Sequence, residues 1–205
     1  MTTKGEKTRQ EIVGAALQLF SRRGYSSTSV ADVLAATGIT KGGLYGHFRS
    51  KEDLWHAAYA RTVHVWRALV FRGVREIADP LERIARTVEN DLRDYIGGEA
   101  LGGRCFFFSM LVELAGQPGP MCDRILSGFR AFSGLLQSWL EEADRGGVLR
   151  PGIDHREVAD FLVTSINGAA ALYAAGRDPR LLEDTIRQVR LHLEALRPAP
   201  GPSPG

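Results

Sequence analysis

Six helix-opening signatures punctuate this chain, and they constrain its fold more than any other feature. Thr8-Arg-Gln-Glu11, Ser29-Val-Ala-Asp32, Ser50-Lys-Glu-Asp53 and Asp154-His-Arg-Glu157 each set an oxygen-bearing side chain three residues ahead of an acid. In that pattern the two side chains satisfy each other's free backbone N–H groups at a helix start. Asp79-Pro80 and Asp178-Pro179 instead place an acid at the cap and proline at the first helical position, where the missing N–H does no harm. Apolar residues follow at helical spacing, as in Ile12, Val13, Ala16, Leu17 and Phe20. No run alternates with period two, and no Asn-Gly or Asp-Gly turn separates apolar segments. The chain is predicted to be all-α, with about nine helices, the first three short and clustered.

The expected boundaries follow from these signals and from glycine and proline. A first helix runs from Thr8 to Gly24, a second covers 29–36, a third 41–47, and a long fourth runs from Ser50 to about Ala78. Pro118-Gly-Pro120 breaks the chain before a helix over 121–144, and two more cover 154–176 and 179–196. The closing "RPAPGPSPG" has the composition of a disordered tail.

At 205 residues, with 44% hydrophobic and 24% charged side chains, the chain can bury a sizeable core. The longest apolar run, "CFFFSMLV" at 105–112, is too short to cross a bilayer, and the first residues lack the apolar segment of a secretory signal, so a cytoplasmic protein with no membrane partner is expected. Two cysteines make no disulfide framework. Residues 1–55 hold eight Lys/Arg against five acids, and every lysine lies at or before Lys51, so the excess positive charge falls at one end. That end is the one to meet an anion.

"GITKGGLYGHF" at 38–48 concentrates glycine where a helix would be weakened by it. Its setting explains it. A helix ending at Gly38, a tight turn and a short helix capped by Thr40 describe a helix-turn-helix, with Ile39 pinning the two helices together. Gly42 and Gly43 would let the start of the second helix approach phosphates, where free N–H groups favour anions.

The string "TSVADVLAATGITKGGLYGHFRSKEDL" at 28–54, after an amphipathic helix ending "LFSRRGY", resembles the DNA-binding domain of TetR-family transcriptional regulators over about residues 5–65. The resemblance implies a DNA-binding domain at 5–50 with its motif at about 29–48, a helical effector-binding and dimerisation domain at 51–197, and a tail at 198–205. It further implies a homodimer that binds a palindromic double-stranded DNA operator, needs no cofactor and is released by a small molecule. Residue by residue, Thr28 or Ser29 would bond a phosphate. Thr40, Lys41 and Gly42 would lie at the start of the recognition helix, Tyr45 and His47 would contact phosphate and groove, and Lys51 would meet a phosphate at the next helix start. Two positions depart from the family pattern. Gly46 stands where a base-touching side chain is common, and Leu34 where alanine is common.

For the remainder, Trp66, Tyr95, Cys105, Phe106, Phe132, Trp139, Asn167 and Tyr173 are candidate pocket residues, with His64 and Arg104 as further polar partners, which points to an apolar or aromatic effector. Cys105 reads either as a small buried hydrophobe or as a thiolate sensor activated by Arg104, and Cys122 is a second possible thiol. Leu182, Ile186, Val189 and Leu193 repeat at intervals of four, three and four, a coiled-coil seam. With Phe161, Ser165, Ala169 and Leu172 they would form a four-helix dimer interface, the alternative being an internal core. No H-E-x-x-H, P-loop, G-x-S-x-G or dinucleotide fingerprint appears, which leaves an enzyme without a catalytic motif. A helical ligand-binding or interaction protein that has lost its operator is the remaining rival.

Overall fold

Thr3, not Thr8, starts the first helix of the computed structural model, which describes residues 3–98 and 104–199. Thr3 Oγ1 accepts the Glu6 N–H at 3.2 Å, and α1 runs Lys4–Arg23. Thr3-Lys-Gly-Glu6 offers the same cap spacing as the expected pattern at Thr8 and adds a turn of intrahelical bonds. Thr8 lies within the helix and returns its hydroxyl to the Lys4 carbonyl at 3.2 Å.

After α1 come α2 (Val30–Thr37), α3 (Lys41–Tyr45) and α4 (Lys51–Val70). Ser50 caps α4 by accepting the Asp53 N–H at 3.0 Å, while the Asp53 carboxylate takes the Arg49 N–H rather than that of Ser50. The expectation that α4 reaches Ala78 is corrected. It ends at Val70, because Phe71 leaves helical geometry and Gly73 turns the chain at φ +68°. Asp79, Asp154 and Asp178 cap their helices as the sequence predicts, opening α5 (Pro80–Asn90), α8 (His155–Gly176) and α9 (Pro179–Ala195). Between them lie a π-helical segment (Asp91–Ile96), α6 (Phe106–Glu113) and α7 (Pro120–Arg145). No strand occurs among the described residues. The expected disorder of the tail falls mostly on 200–205, outside the described residues.

The apolar stripe of α1 is fully inside and packs on α2 and α4, with Ile12, Ala16 and Phe20 each 0% exposed. At about 1.5–3 kcal/mol for each large side chain buried, this stripe does more to hold α1 than its helix propensity. Phe48, Leu44 and Leu54 join the same cluster, and α1 is the helix that packs both on α2 and on α4. The body stacks α8 against α7 and α9, and α5 against the same two. By length and composition α8 could cross a membrane, which the "CFFFSMLV" comparison did not consider; here it packs against α7 and α9 with about a third of its apolar stretch buried.

The coiled-coil seam of α9 faces inward. Leu182, Ile186, Val189 and Leu193 are all buried within the chain, as is Ala169 of α8. Arg190 clamps α9 onto α5 through Glu82 at 2.9 Å and Glu89 at 2.6 Å, and Arg197 reaches Asp79 at 2.5 Å. These links turn the seam toward α5, which corrects its assignment to a dimer interface. Left outside are Phe161 and Leu172 on α8 and Leu191 on α9, at 48%, 63% and 58% exposed. Ser165 lies on the same side of α8 as Phe161 and gives its hydroxyl to the Phe161 carbonyl.

Candidate nucleic-acid interface and ligand cavity

Local hydrogen bonds build the helix-turn-helix. Ser29 Oγ accepts the Asp32 N–H at 3.1 Å, and Asp32 Oδ2 accepts the Ser29 N–H at 2.7 Å, closing a reciprocal cap. The hydrogen bonds from Ser29 hold the Asp32 carboxyl below the usual carboxylate range, with Arg23 at 3.5 Å assisting. Gly38 ends α2 in the left-handed region at φ +68°, and Thr40 Oγ1 caps α3 by accepting the Gly43 N–H at 3.2 Å. A Cβ on Gly43 would lie 2.9 Å from Ile39 Cγ2, so glycine there lets the turn close on its apolar pin.

Leu44 and Phe48 point into the core at 1% exposure each, which fixes how α3 is rolled. Lys41, Gly42 and Tyr45 are then exposed, Tyr45 at 44%. His47 is half-buried beside the Phe48 ring, with Gly5 near it. Lys51 lies with Nζ 4.1 Å above the Tyr25 ring, and burial lowers its pKa against the opposing pull of Glu113 and Asp32. Thr28 is a correction. It is 0% exposed and donates its hydroxyl to the Gly24 carbonyl at 2.7 Å, so it braces the turn after α1 and reaches no phosphate. Ser29 is exposed, though its hydroxyl already serves the cap. Exposed Gly46 has no side chain to offer a base.

A second site lies in the body. A cavity of about 760 Å³ opens among α4, α5, α6, α7, α8 and the π-helical segment. Trp66, Cys105, Phe132, Trp139 and Asn167 line it as expected from sequence. Tyr95 and Phe106 do not; both are 0% exposed and form core behind the wall, Tyr95 stacked on Phe107 at 6.1 Å. Tyr173 lies outside the lining, and so do His64 and Arg104, the latter in a shallow cleft beside Glu113. Trp66 organises the wall, edge-on to Phe132 at 5.1 Å and to Phe71 at 5.3 Å. Asn167 spends its amide N–H on the Val163 carbonyl at 2.7 Å.

Sequence reading missed Asp91. Gly97 N–H bonds to the Leu92 carbonyl five residues back, at 2.9 Å, as the segment widens into a π-helix. Asp91, which opens that segment, lines the cavity at only 4% exposure. Burial pushes its carboxyl up to about 7, while a hydrogen bond from Trp66 Nε1 at 3.3 Å opposes the rise. Cys105 caps α6 through a weak contact from the Phe108 N–H, and burial together with the Asp91 charge pushes its thiol up to about 12. A thiolate sensor needs the opposite shift, so of the two readings of Cys105 the buried hydrophobe fits.

Glu113 was also missed. It is the last residue of α6, and its carboxylate accepts the Tyr25 N–H at 2.7 Å and the Ser26 N–H at 2.6 Å. Gly24 makes room for it: a Cβ there would lie 2.6 Å from Glu113 Oε2, and φ is +85°. Phe107, in the first turn of α6, lines the cavity. One short helix therefore touches the cavity at its start and the helix-turn-helix head at its end.

The chain is similar to known proteins along most of its length. The profile of bacterial regulatory proteins of the tetR family matches residues 12–58, and that of the Tetracyclin repressor-like C-terminal domain matches 80–189. The HTH-type transcriptional repressor DhaR of Mycobacterium sp. (strain GP1) is 29% identical over 194 residues, 93% of each chain. The HTH-type transcriptional repressor ComR of Escherichia coli (strain K12) is 27% identical over 167 residues, 78% of this chain and 76% of its own. Among solved structures, a TetR transcriptional regulator from Chloroflexus aurantiacus J-10-FL superposes with a TM-score of 0.88 at 25% identity, over 96% of this chain and 99% of that one. The chain belongs to the TetR family of helix-turn-helix transcriptional regulators, proteins that are not enzymes.

Proposed function

We propose that this regulator is a cytoplasmic repressor: a homodimer that grips a palindromic duplex through two α3 edges and releases it when an aromatic small molecule enters the cavity. The observation that carries the reading is the double attachment of α6, with Phe107 on the cavity wall and Glu113 bonded to the head at Tyr25 and Ser26. A ligand that prefers a displaced Phe107 shifts α6 and with it the turn that carries α2 and α3. The shift in operator affinity equals the ligand's differential affinity for the two arrangements, typically about 1–3 kcal/mol.

Pairing is needed because five residues of α3 read few bases, whereas two heads roughly 34–36 Å apart meet successive major grooves. The outward apolar side chains Phe161, Leu172 and Leu191 are the surface we assign to the partner copy. Repression rather than activation is supported by the repressors among the relatives. Thr40, Lys41, Gly42, Tyr45, His47 and Lys51, with Ser29, form the proposed DNA face.

The test is selection of bound duplex from a random pool, followed by anisotropy titration of the selected site. Tyr45→Ala and Lys41→Ala are each expected to weaken binding by about 1–3 kcal/mol, and light scattering to give twice the 22.5 kDa chain mass. A pool that yields no preferred duplex would overturn the reading in favour of a ligand-binding protein without an operator.

A further inference from the structure

Asp91 is the one buried Asp or Glu among the described residues, and no cation pairs with it there. Trp66 Nε1 gives it a single neutral hydrogen bond. Its other close titrating neighbours, Cys105 and Tyr95, are themselves acids, and each is pushed to a higher pKa with the Asp91 charge contributing. Isolated buried carboxylates are costly; they hold a proton or take a partner of opposite charge that offsets part of the cost. None of the described residues supplies one at that point.

The surrounding surface is aromatic. Trp66 stands 5.1 Å from Phe132 and 6.2 Å from Phe107, edge-on to both, and its own N–H is the group that reaches Asp91. Ring faces beside a carboxylate are the two elements with which proteins hold organic cations, the rings through their quadrupoles and the acid through its charge. A volume of about 760 Å³ leaves room for an apolar body of drug size beyond the charged end.

We propose that the cavity takes an organic cation, an aromatic ammonium whose charged nitrogen seats against Asp91 and whose apolar body lies on Trp66, Phe107 and Phe132. This rests on the reading of the cavity as the effector site and narrows the effector to one chemical class.

Three arginines also border the cavity, and they do not reverse the preference. Arg83 is spent on Glu142 at 2.8 Å, on the Ile77 carbonyl and on the Trp139 ring face at 5.5 Å. Arg67 and Arg75 are exposed, so water and salt screen them, while Asp91 acts from the low-dielectric interior.

The experiment compares three probes by equilibrium dialysis against the full chain without DNA, with naphthalene fluorescence reporting the bound fraction. They are (2-naphthylmethyl)trimethylammonium, its neutral carbon isostere 2-neopentylnaphthalene, and the anion 2-naphthylacetate. At pH 8 the cation is expected to bind at least tenfold tighter than the neutral isostere, with the anion weakest. Asp91→Asn is expected to remove the cation's advantage while leaving the neutral isostere within about twofold. The cation's affinity should rise from pH 6 to pH 8 as Asp91 loses its proton. Cys105 and Tyr95, which face Asp91, do not interfere in that window, since burial holds both well above it.

Equal affinity for cation and isostere, a preference for the anion, an advantage that survives Asp91→Asn, or no binding of any probe would each overturn the proposal. Operator release is scored separately, by adding the bound probe to the selected duplex complex. A cation that binds with Asp91 dependence yet leaves the complex intact would remove the effector reading and keep the cation site.

Discussion

Each helix boundary in the head is set by a residue within a few positions of it: Ser29 by Asp32, Gly38 by its own φ, Thr40 by Gly43, Ser50 by Asp53. The cavity instead gathers Tyr59 of α4, Asp91 of the π-helical segment, Phe107 of α6, Phe132 of α7 and Asn167 of α8, which no local rule brings together. A structure written in neighbouring residues keeps its shape through substitutions elsewhere, which suits a surface that must match an invariant duplex. A wall assembled from so many elements can change its chemistry one side chain at a time without touching the head. The two regions meet where α1 packs on α4 and where α6 reaches the head, and Glu113 makes two hydrogen bonds of the second link.

The sharpest way to break this division is from the head's core. Leu44 is 1% exposed on a five-residue helix too short to persist alone, so Leu44→Ala should cost about 2–5 kcal/mol and abolish operator binding. If head and body are separable, calorimetry should show a low-temperature transition split from the main one, with probe binding in the cavity unchanged. A single transition that takes the cavity with it would mean one cooperative unit.

A second test works from the body. The Asp91 carboxyl titrates near 7 in the fold, above its ordinary value of 3.8, so between these pH values the folded chain holds a proton that the unfolded chain has released. Stability from this group is therefore present below about pH 4 and lost as pH rises toward 7. Asp91→Asn abolishes that loss, a gain on the order of 4 kcal/mol at pH 8, less the cost of orienting the amide. Melting temperatures of the two proteins should diverge from pH 5.5 to pH 8, the variant higher, with Leu44 and the operator face unaffected.

The same division decides what could be read from the sequence. Caps at Ser29, Thr40, Asp79, Asp154 and Asp178 are legible because donor and acceptor are three residues apart or fewer. Thr8 misled because Thr3-Lys-Gly-Glu6 carries an equal signal five residues earlier, and spacing alone cannot rank the two. The seam of α9 was legible as a stripe but not in its direction, since the Arg190 bonds that turn it toward α5 span about a hundred residues of chain. Trp66, Phe132 and Trp139 could be guessed because aromatics line pockets often. Tyr95 and Phe106 failed under the same guess, because composition does not separate a wall from the layer behind it. Asp91 needed the π-helical segment, and Glu113 gave no signal at all beyond being one acid among many.

Glu113 is also where the two regions can be uncoupled. Glu113→Ala deletes two hydrogen bonds to a carboxylate, each worth about 1.5–3 kcal/mol net when buried and less where water replaces the carboxylate, so a loss of about 2 kcal/mol is expected. The more telling readout is the ligand's effect on operator affinity, which should shrink toward none while ligand and operator each still bind. Full release by ligand in this variant would move the coupling to the α1–α4 contact instead.

The smallest effect sharpens the boundary within the head. Thr28 and Ser29 are adjacent, yet one is wholly inside and the other faces solvent. Thr28→Val keeps the shape and removes the hydroxyl bonded to Gly24, which should lower stability by about 1 kcal/mol. A buried brace has no counterion to release, so the slope of log K against log salt for the operator should match the wild type. A residue that met a phosphate would change that slope by about 1, as Lys41→Ala is expected to do. Measuring both variants on one selected duplex thus separates a residue that shapes the head from one that touches DNA, even if their losses in affinity happen to be equal.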